Sequence, residues 1–193
     1  MSRTKHFGMA IGGALLALAA AAGAARAGIK DFRGHLAIGY ASLYATDAPG
    51  GSLSAEGAVD YPLAASWRLG AGVGYDLFGS QTAERGSFVA NVDYSLLHVD
   101  LQAHWQPPFA ANIARVSFGP SLFNAHADVS SSGAGASFTD LAVHEVCGGA
   151  SFDVTLMKQK PAPVRAGLEL GSRVACVAGD PWTVTMVRFA VHY

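Results

Sequence analysis

Two histidine–aspartate pairs are the residues best suited to acid–base chemistry. His98-Val99-Asp100 and His126-Ala127-Asp128 each place a carboxylate two residues from an imidazole, so the acid could orient the ring of a general base. Nucleophilic catalysis also needs a hydroxyl or thiol within hydrogen-bond reach of that base. The sequence supplies no nucleophile beside either pair, and we assign no catalytic residue.

A metal site is the second kind of chemistry that the histidines suggest. His98, Asp100, Gln102 and His104 alternate, so they would share one face of a strand. Alternate residues lie about 6.8 Å apart on a strand, whereas zinc ligands lie about 2.0–2.2 Å from one ion. His98 and His104 are therefore too far apart to share one metal ion, and another strand would have to complete such a site. We expect these side chains to belong to a hydrogen-bond network and assign no metal or cofactor ligand.

The first 27 residues are predicted to be a cleaved secretory signal peptide. A basic start that includes Arg3 and Lys5 precedes an apolar run over residues 7–24, and Ala25 and Ala27 provide the small residues that a signal peptidase reads. The alternative is a membrane anchor, but the run is mostly Ala and Gly and would insert weakly. Cleavage before Gly28 would leave residues 28–193 as one domain.

Strict alternation of apolar and polar residues predicts strands throughout residues 28–193. In residues 67–77, for example, large apolar side chains alternate with Gly70, Gly72, Gly74 and charged residues, and no helix follows that could make these glycines a phosphate-binding loop. Eight such segments predict an all-β, eight-stranded antiparallel up-and-down barrel. The connections are predicted at 46–51, 62–66, 79–86, 107–112, 130–137, 157–163 and 178–181.

The alternation changes phase within the fourth segment. The apolar residues are even-numbered up to Leu96 and odd-numbered from Val99 onward. Because a shift of one residue reverses the two faces of a strand, we predict a β-bulge near Leu97.

The charged residues indicate which face of the barrel points inward. Only 14% of the residues are charged, and the net charge of −1 argues against a nucleic-acid partner. Arg and carboxylates among small residues, with almost no Lys, suit a cramped interior where guanidinium groups pair with acids. The charged residues assigned to this face are Glu56, Asp60, Arg68, Asp76, Asp93, Asp100, Arg115, Glu145, Asp153, Arg165, Glu169, Arg173 and Arg188.

The apolar face would then contact lipid. Aromatic residues would form interfacial girdles, as is usual for membrane barrels, and an eight-stranded lumen is narrow enough to be filled by side chains. The alternative is a soluble lipocalin-like carrier, in which the apolar face would enclose a ligand. The girdle residues are predicted to be Tyr40, Tyr44, Tyr61, Trp67, Tyr75, Trp105 and Trp182.

The end of the sequence alternates up to an aromatic residue, through Val187, Phe189, Val191 and Tyr193. This pattern resembles the signal by which barrel-insertion machinery recognises outer-membrane proteins. Together with the export signal, it makes the chain similar to the small outer-membrane β-barrel family that includes OmpA, OmpX and OmpW.

The resemblance implies a monomer in a Gram-negative outer membrane, with lipids and the insertion machinery as partners and a structural or interaction role at the cell envelope. The chain departs from the family pattern in ending on Tyr rather than Phe. It also departs in its short connections, which argue against an adhesin.

The main alternative function is an enzyme that acts on lipid A. Acyl hydrolases of similar architecture use a His and a Ser two residues apart, and related transferases have an amphipathic helix before the first strand. Neither feature is present, so we predict that the chain is not an enzyme. Cys147 and Cys176 fall on opposite faces of neighbouring strands, which predicts two free, buried thiols.

Overall fold

The computed structural model describes residues 32–44, 51–85, 88–110, 113–133, 136–157, 164–177 and 179–193. The predicted signal peptide over residues 1–27 lies outside the described residues, as do residues 46–50 and 158–163 of two predicted connections.

Eight antiparallel strands form a closed barrel in which neighbours along the chain are also neighbours in the sheet. This arrangement confirms the predicted up-and-down topology. The strands are β1 (Arg33–Tyr44), β2 (Ser52–Ala64), β3 (Trp67–Arg85), β4 (Phe88–Trp105), β5 (Ala114–Gly133), β6 (Ala136–Met157), β7 (Arg165–Val177) and β8 (Asp180–His192).

The barrel closes where β1 pairs with β8, from His35 opposite His192 to Tyr44 opposite Thr183. A short 3₁₀ turn at Pro108–Ala110 is the only helical element among the described residues. No helix in the described part of the chain is long and apolar enough to span a membrane.

The two faces of the strands differ as the alternation predicts. In β7, Leu168 and Leu170 are exposed on the outside of the barrel, whereas Glu169 and Arg173 are buried in the lumen. Strands β1, β2, β7 and β8 contain 12 or 13 residues, slightly more than the roughly 9–11 that a tilted strand needs to cross the hydrocarbon core.

Four strands extend beyond the others at one end of the barrel. Strands β3 to β6 contain 18–22 residues, and the extra residues add about 20 Å or more of strand. The extensions pair with each other at the end away from Arg33 and His192, which we call the distal end. We call the extensions the distal sheet, and they comprise residues 77–85, 88–95, 126–133 and 136–148.

The distal sheet corrects two of the predicted connections. Residues 79–86 and 130–137 were predicted to be loops, but most of them belong to strands β3, β5 and β6. Their Ser, Thr, Gln and Gly residues resemble turn sequences. The backbone is nevertheless held in a sheet by cross-strand pairing.

The predicted bulge near Leu97 is wrong. The pairing of β4 with β5 keeps one register from Phe88 to Trp105. The bulge instead lies on β3 between Leu77 and Ser80, and Gly79 adopts a left-handed φ of 65° there. Even-numbered residues of β4 therefore face inward along the whole strand, and Asp93 faces outward and is exposed rather than lining the lumen.

The phase change in β4 has a different cause, which is an apolar cluster that fills the distal end of the lumen. Leu96 points inward into this cluster, and Tyr94 packs against it. Trp182 also packs against the cluster, with its ring 6.0 Å from that of Tyr94, so its predicted place in an outer girdle is wrong. We call the cluster the distal plug; it consists of Ala41, Leu43, Phe78, Leu96, Phe123, Ala125, Ala175, Val177, Val184 and Met186.

The two cysteines are free, as predicted. Cys147 packs against the distal plug, whereas Cys176 is exposed on the opposite face. The expectation that both thiols are buried is therefore wrong for Cys176.

The bulge predicts a specific effect of two matched glycine substitutions. A methyl group added at Gly79 or at Gly148 would have no neighbour within 4 Å, but only Gly79 has a positive φ. Gly79→Ala should therefore lower the free energy of unfolding by about 1 kcal/mol through backbone strain. Gly148→Ala should not lower it. Urea unfolding of each variant in lipid vesicles measures the difference, and equal effects would contradict the assigned bulge.

Candidate functional site: the charged lumen

The centre of the lumen is organised around Arg188 on β8. Its Nη1 donates a hydrogen bond of 2.6 Å to Oε2 of Glu56 on β2. Its Nη2 donates to Glu169 on β7 and lies 3.5 Å from Oδ1 of Asp153 on β6. Arg188 is 1% exposed, so this guanidinium group links three other strands away from water.

A second buried arginine shares the same acid. Nη2 of Arg173 donates to Oε2 of Glu56 and, over 3.3 Å, to Oδ2 of Asp100 on β4. Glu56 therefore lies between two guanidinium groups. The planar fork of Arg188 holds Glu56 and Glu169 with separate nitrogens in fixed directions, which the single ammonium group of a Lys would not do.

A second ion-pair cluster lies towards the end of the barrel with Arg33 and His192. Nε of Arg68 donates to the side chain of Asp60, and Nη1 of Arg115 lies 3.4 Å from the other oxygen of that carboxylate. A cavity of about 10 Å³ beside these residues has room for about one water molecule. The predicted pairing of Arg68 with a buried carboxylate is confirmed.

The four β4 residues considered as metal ligands each hydrogen-bond within the lumen. Nδ1 of His98 lies 2.8 Å from Oδ2 of Asp100. Nε2 of Gln102 donates to Ser151 and Asp153 on β6. Nδ1 of His104 lies 2.7 Å from Oγ of Ser117 on β5. The partners lie on three strands, as expected for a network rather than for one shared ion.

One group of lumen residues has donor atoms close enough to hold a cation. Ligand atoms of Glu56, His98 and Asp100 lie within 4.8 Å of one another. The guanidinium group of Arg173 already donates to both carboxylates. This arginine supplies the positive charge between them, so the arrangement acts as an ion-pair network.

The lumen also contains a serine–histidine pair that the sequence did not reveal. Ser117 and His104 are cross-strand partners on β5 and β4. They were missed because they lie 13 residues apart in the sequence rather than in a local motif. Both side chains are buried, at 1% and 2% exposure, inside the barrel wall. A molecule outside the barrel would have no path to this hydroxyl group.

The outside of the barrel is apolar and carries aromatic residues near its ends. The ring of Trp67 lies 6.3 Å from that of Trp105 and 6.2 Å from that of Phe118, near the end of the barrel with Arg33 and His192. Tyr40 and Tyr44 are exposed towards the distal end. An apolar belt between aromatic girdles is the surface expected for strands in a bilayer.

Similar solved structures share this architecture. No protein-family model matches the chain, and no curated protein matches it either. A major outer membrane protein from Thermus thermophilus aligns with a TM-score of 0.60 and 11% identity, over 84% of this chain and 98% of that one.

Two further structures align comparably. Neisserial surface protein A has a TM-score of 0.51 and 11% identity, over 83% of this chain and 95% of that one. Ail of Yersinia pestis, in complex with the heparin analogue sucrose octasulfate, has a TM-score of 0.50 and 11% identity, over 84% and 99%. The chain therefore has the fold of the small bacterial outer-membrane β-barrels.

The Arg68–Asp60 pair predicts a large loss of stability when the arginine is removed. Arg68→Leu leaves the carboxylate of Asp60 buried with less compensation, and breaking a buried pair in this way costs roughly 3–5 kcal/mol. Arg33→Leu is the matched control, because Arg33 lies at the same end of the barrel but is exposed. The unfolding free energy in lipid vesicles should fall much further for Arg68→Leu. Equal values for the two variants would show that Arg68 does not stabilise the lumen.

Proposed function

We propose that the chain is a plugged, monomeric barrel of the outer membrane that serves the cell envelope through its distal sheet, without catalysing a reaction. The observation that carries this proposal is the lumen. Arg173, Arg188, Phe78 and Phe123 are each 0–1% exposed and fill the lumen in two layers, one charged and one apolar. Because side chains fill the interior, only the outer wall is available to lipid and only the two ends are available to other molecules.

The distal sheet supports an orientation in the membrane. Outer-membrane barrels have short periplasmic turns, and their extracellular parts are longer. Here four strands are elongated at the distal end. We therefore assign the distal sheet to the outside of the cell and the end of the barrel with Arg33 and His192 to the periplasm. The exposed residues Val187 and Phe189 on β8 and Tyr193 directly after it, together with Val191, would be read by the insertion machinery.

The two alternative functions fit the geometry less well. A lipocalin-like carrier encloses its ligand in an apolar interior, whereas the centre of this lumen is charged. A lipid A hydrolase needs a nucleophile that the substrate can reach. The Ser117–His104 pair lies inside the barrel wall, so it supports a structural hydrogen bond rather than lipid hydrolysis.

Membrane location predicts a heat-dependent shift in gel mobility. The protein should be released from outer-membrane fractions only by detergent, because its apolar wall is solvated by lipid. Unboiled protein in SDS should migrate differently from boiled protein, since the closed sheet resists SDS until it is heated. Protein that is soluble without detergent and shows no shift would favour a carrier over a membrane barrel.

The filled lumen predicts that the barrel does not conduct ions. Purified protein inserted into a planar lipid bilayer should give no current above that of the lipid alone. A porin in the same bilayer serves as the positive control, because barrels with more strands enclose an aqueous channel. Steady single-channel currents from this chain would overturn the plugged-barrel proposal while leaving the membrane location intact.

A further inference from the structure

Two histidines face each other on the outer side of the distal sheet. His126 on β5 and His144 on β6 are directly opposed cross-strand partners. Their Nδ1 atoms lie 2.8 Å apart, and their ring centroids are 4.0 Å apart. Both residues share the outward face of their strands with Leu122 and Val146, which are exposed. The pair therefore lies outside the lumen, on the part of the barrel that extends beyond the lipid.

The spacing of the two nitrogens suits a shared cation. In the absence of an ion, one Nδ1 must donate a proton to the lone pair of the other. A transition-metal ion can replace that proton and accept both lone pairs. Two imidazole nitrogens on one tetrahedral zinc ion lie about 3.3 Å apart, given Zn–N distances of about 2.0–2.1 Å. Small side-chain rotations suffice to widen the present separation to that value.

A carboxylate already orients one of the two rings. Oδ1 of Asp128 lies 2.9 Å from Nε2 of His126, on the same face of β5. By accepting the Nε2 proton, Asp128 favours the tautomer whose Nδ1 lone pair points towards His144. Histidines that bind metals almost always donate their other N–H to such an acceptor. Asp128 is therefore the outer-shell hydrogen-bond acceptor that is typical of a histidine that binds a metal.

The surroundings of the pair favour positive charge. Asp93 on β4 is the cross-strand partner of Asp128, and Ser80 donates a hydrogen bond to Asp93. Glu84 is exposed on the same sheet. Carboxylates on the same sheet raise the local concentration of cations without being ligands themselves. The side chains of His126 and Asp128 are 20% and 29% exposed, so an ion in solution can reach the site.

We propose that His126 and His144 bind a divalent transition-metal ion through their Nδ1 atoms, with Asp128 as the residue that positions His126. Imidazole ligands suit zinc, copper and nickel rather than calcium or magnesium. Water completes the coordination of the ion. The bound ion joins β5 to β6 in the distal sheet. The site is separate from the lumen, and it does not depend on whether the lumen conducts.

The test is a metal titration of the full mature chain, folded in detergent and carrying no histidine tag. Isothermal calorimetry with Zn²⁺ should give one ion per barrel. His126→Asn and His144→Asn should each weaken binding by about 100-fold, because one imidazole ligand is lost. Asp128→Asn should weaken it by about 10- to 100-fold with the stoichiometry unchanged, which is the usual effect of losing an outer-shell partner.

Two controls distinguish ligation by the histidines from general charge attraction and from misfolding. Asp93→Asn removes a nearby charge but no contact with either imidazole, so screened electrostatics should change the affinity by no more than about threefold. Heat-dependent gel mobility verifies that each variant is folded. Electron paramagnetic resonance with Cu²⁺ should show two nitrogen ligands in the wild-type protein and one in either histidine variant.

Three results would overturn the proposal. The first is the absence of Zn²⁺ binding at millimolar concentration. The second is unchanged binding in the His126→Asn/His144→Asn double variant, which would move the site elsewhere, for example to the lumen residues Glu56, His98 and Asp100. The third is a loss of affinity in Asp93→Asn equal to that in the histidine variants, which would show a diffuse attraction of cations instead of a ligated ion.

Discussion

The pairing of β1 with β8 closes the sheet, and the rest of the architecture depends on this closure. In hydrocarbon no water is available to an unpaired backbone N–H or C=O group, so a sheet can span a membrane only as a barrel without edges. Closing only eight strands makes the interior narrow. Side chains from opposite walls then meet, and small residues are needed between the large ones. A Cβ at Gly70, for example, would overlap Nε2 of His104 on the neighbouring strand.

The narrow lumen in turn explains why its charges are arranged as a network. A buried charge is costly unless partners compensate for it, and the carboxylates and arginines of the lumen come from different strands. Arg188 on β8 reaches Glu56, Glu169 and Asp153 only when β8 lies between β1 and β7 in the observed register. A shift of one residue would turn Arg188 to the outside of the barrel. The network therefore stabilises one closure over its alternatives, in addition to filling space.

Alternation alone was enough to predict eight strands, their antiparallel order and the inward direction of residues such as Arg68 and Glu169. It failed in β4, because a period of two identifies two faces but does not say what each face contacts. Leu96 looked like a lipid-facing residue, whereas it points into the distal plug. The side-chain contacts in the lumen could not be predicted from the sequence for a related reason. The pairs His104–Ser117 and Arg173–Glu56 join strands whose relative positions only the closed register fixes.

The distal sheet differs from the rest of the barrel in the way expected of strands that would continue beyond a membrane. Among the described residues, β3 pairs with β2 only up to Asp76, and β6 pairs with β7 only from Gly149 onward. The outer edges of the extensions can remain open there because water hydrogen-bonds to them. Water outside the barrel also removes the need for large apolar side chains on the outward face, where polar residues such as Ser80, Thr82 and His126 lie. An exposed acid such as Glu84 on β3 also discourages the open edge of that strand from pairing with other chains. The composition that makes these segments look like loops is therefore the composition that lets a sheet persist in water.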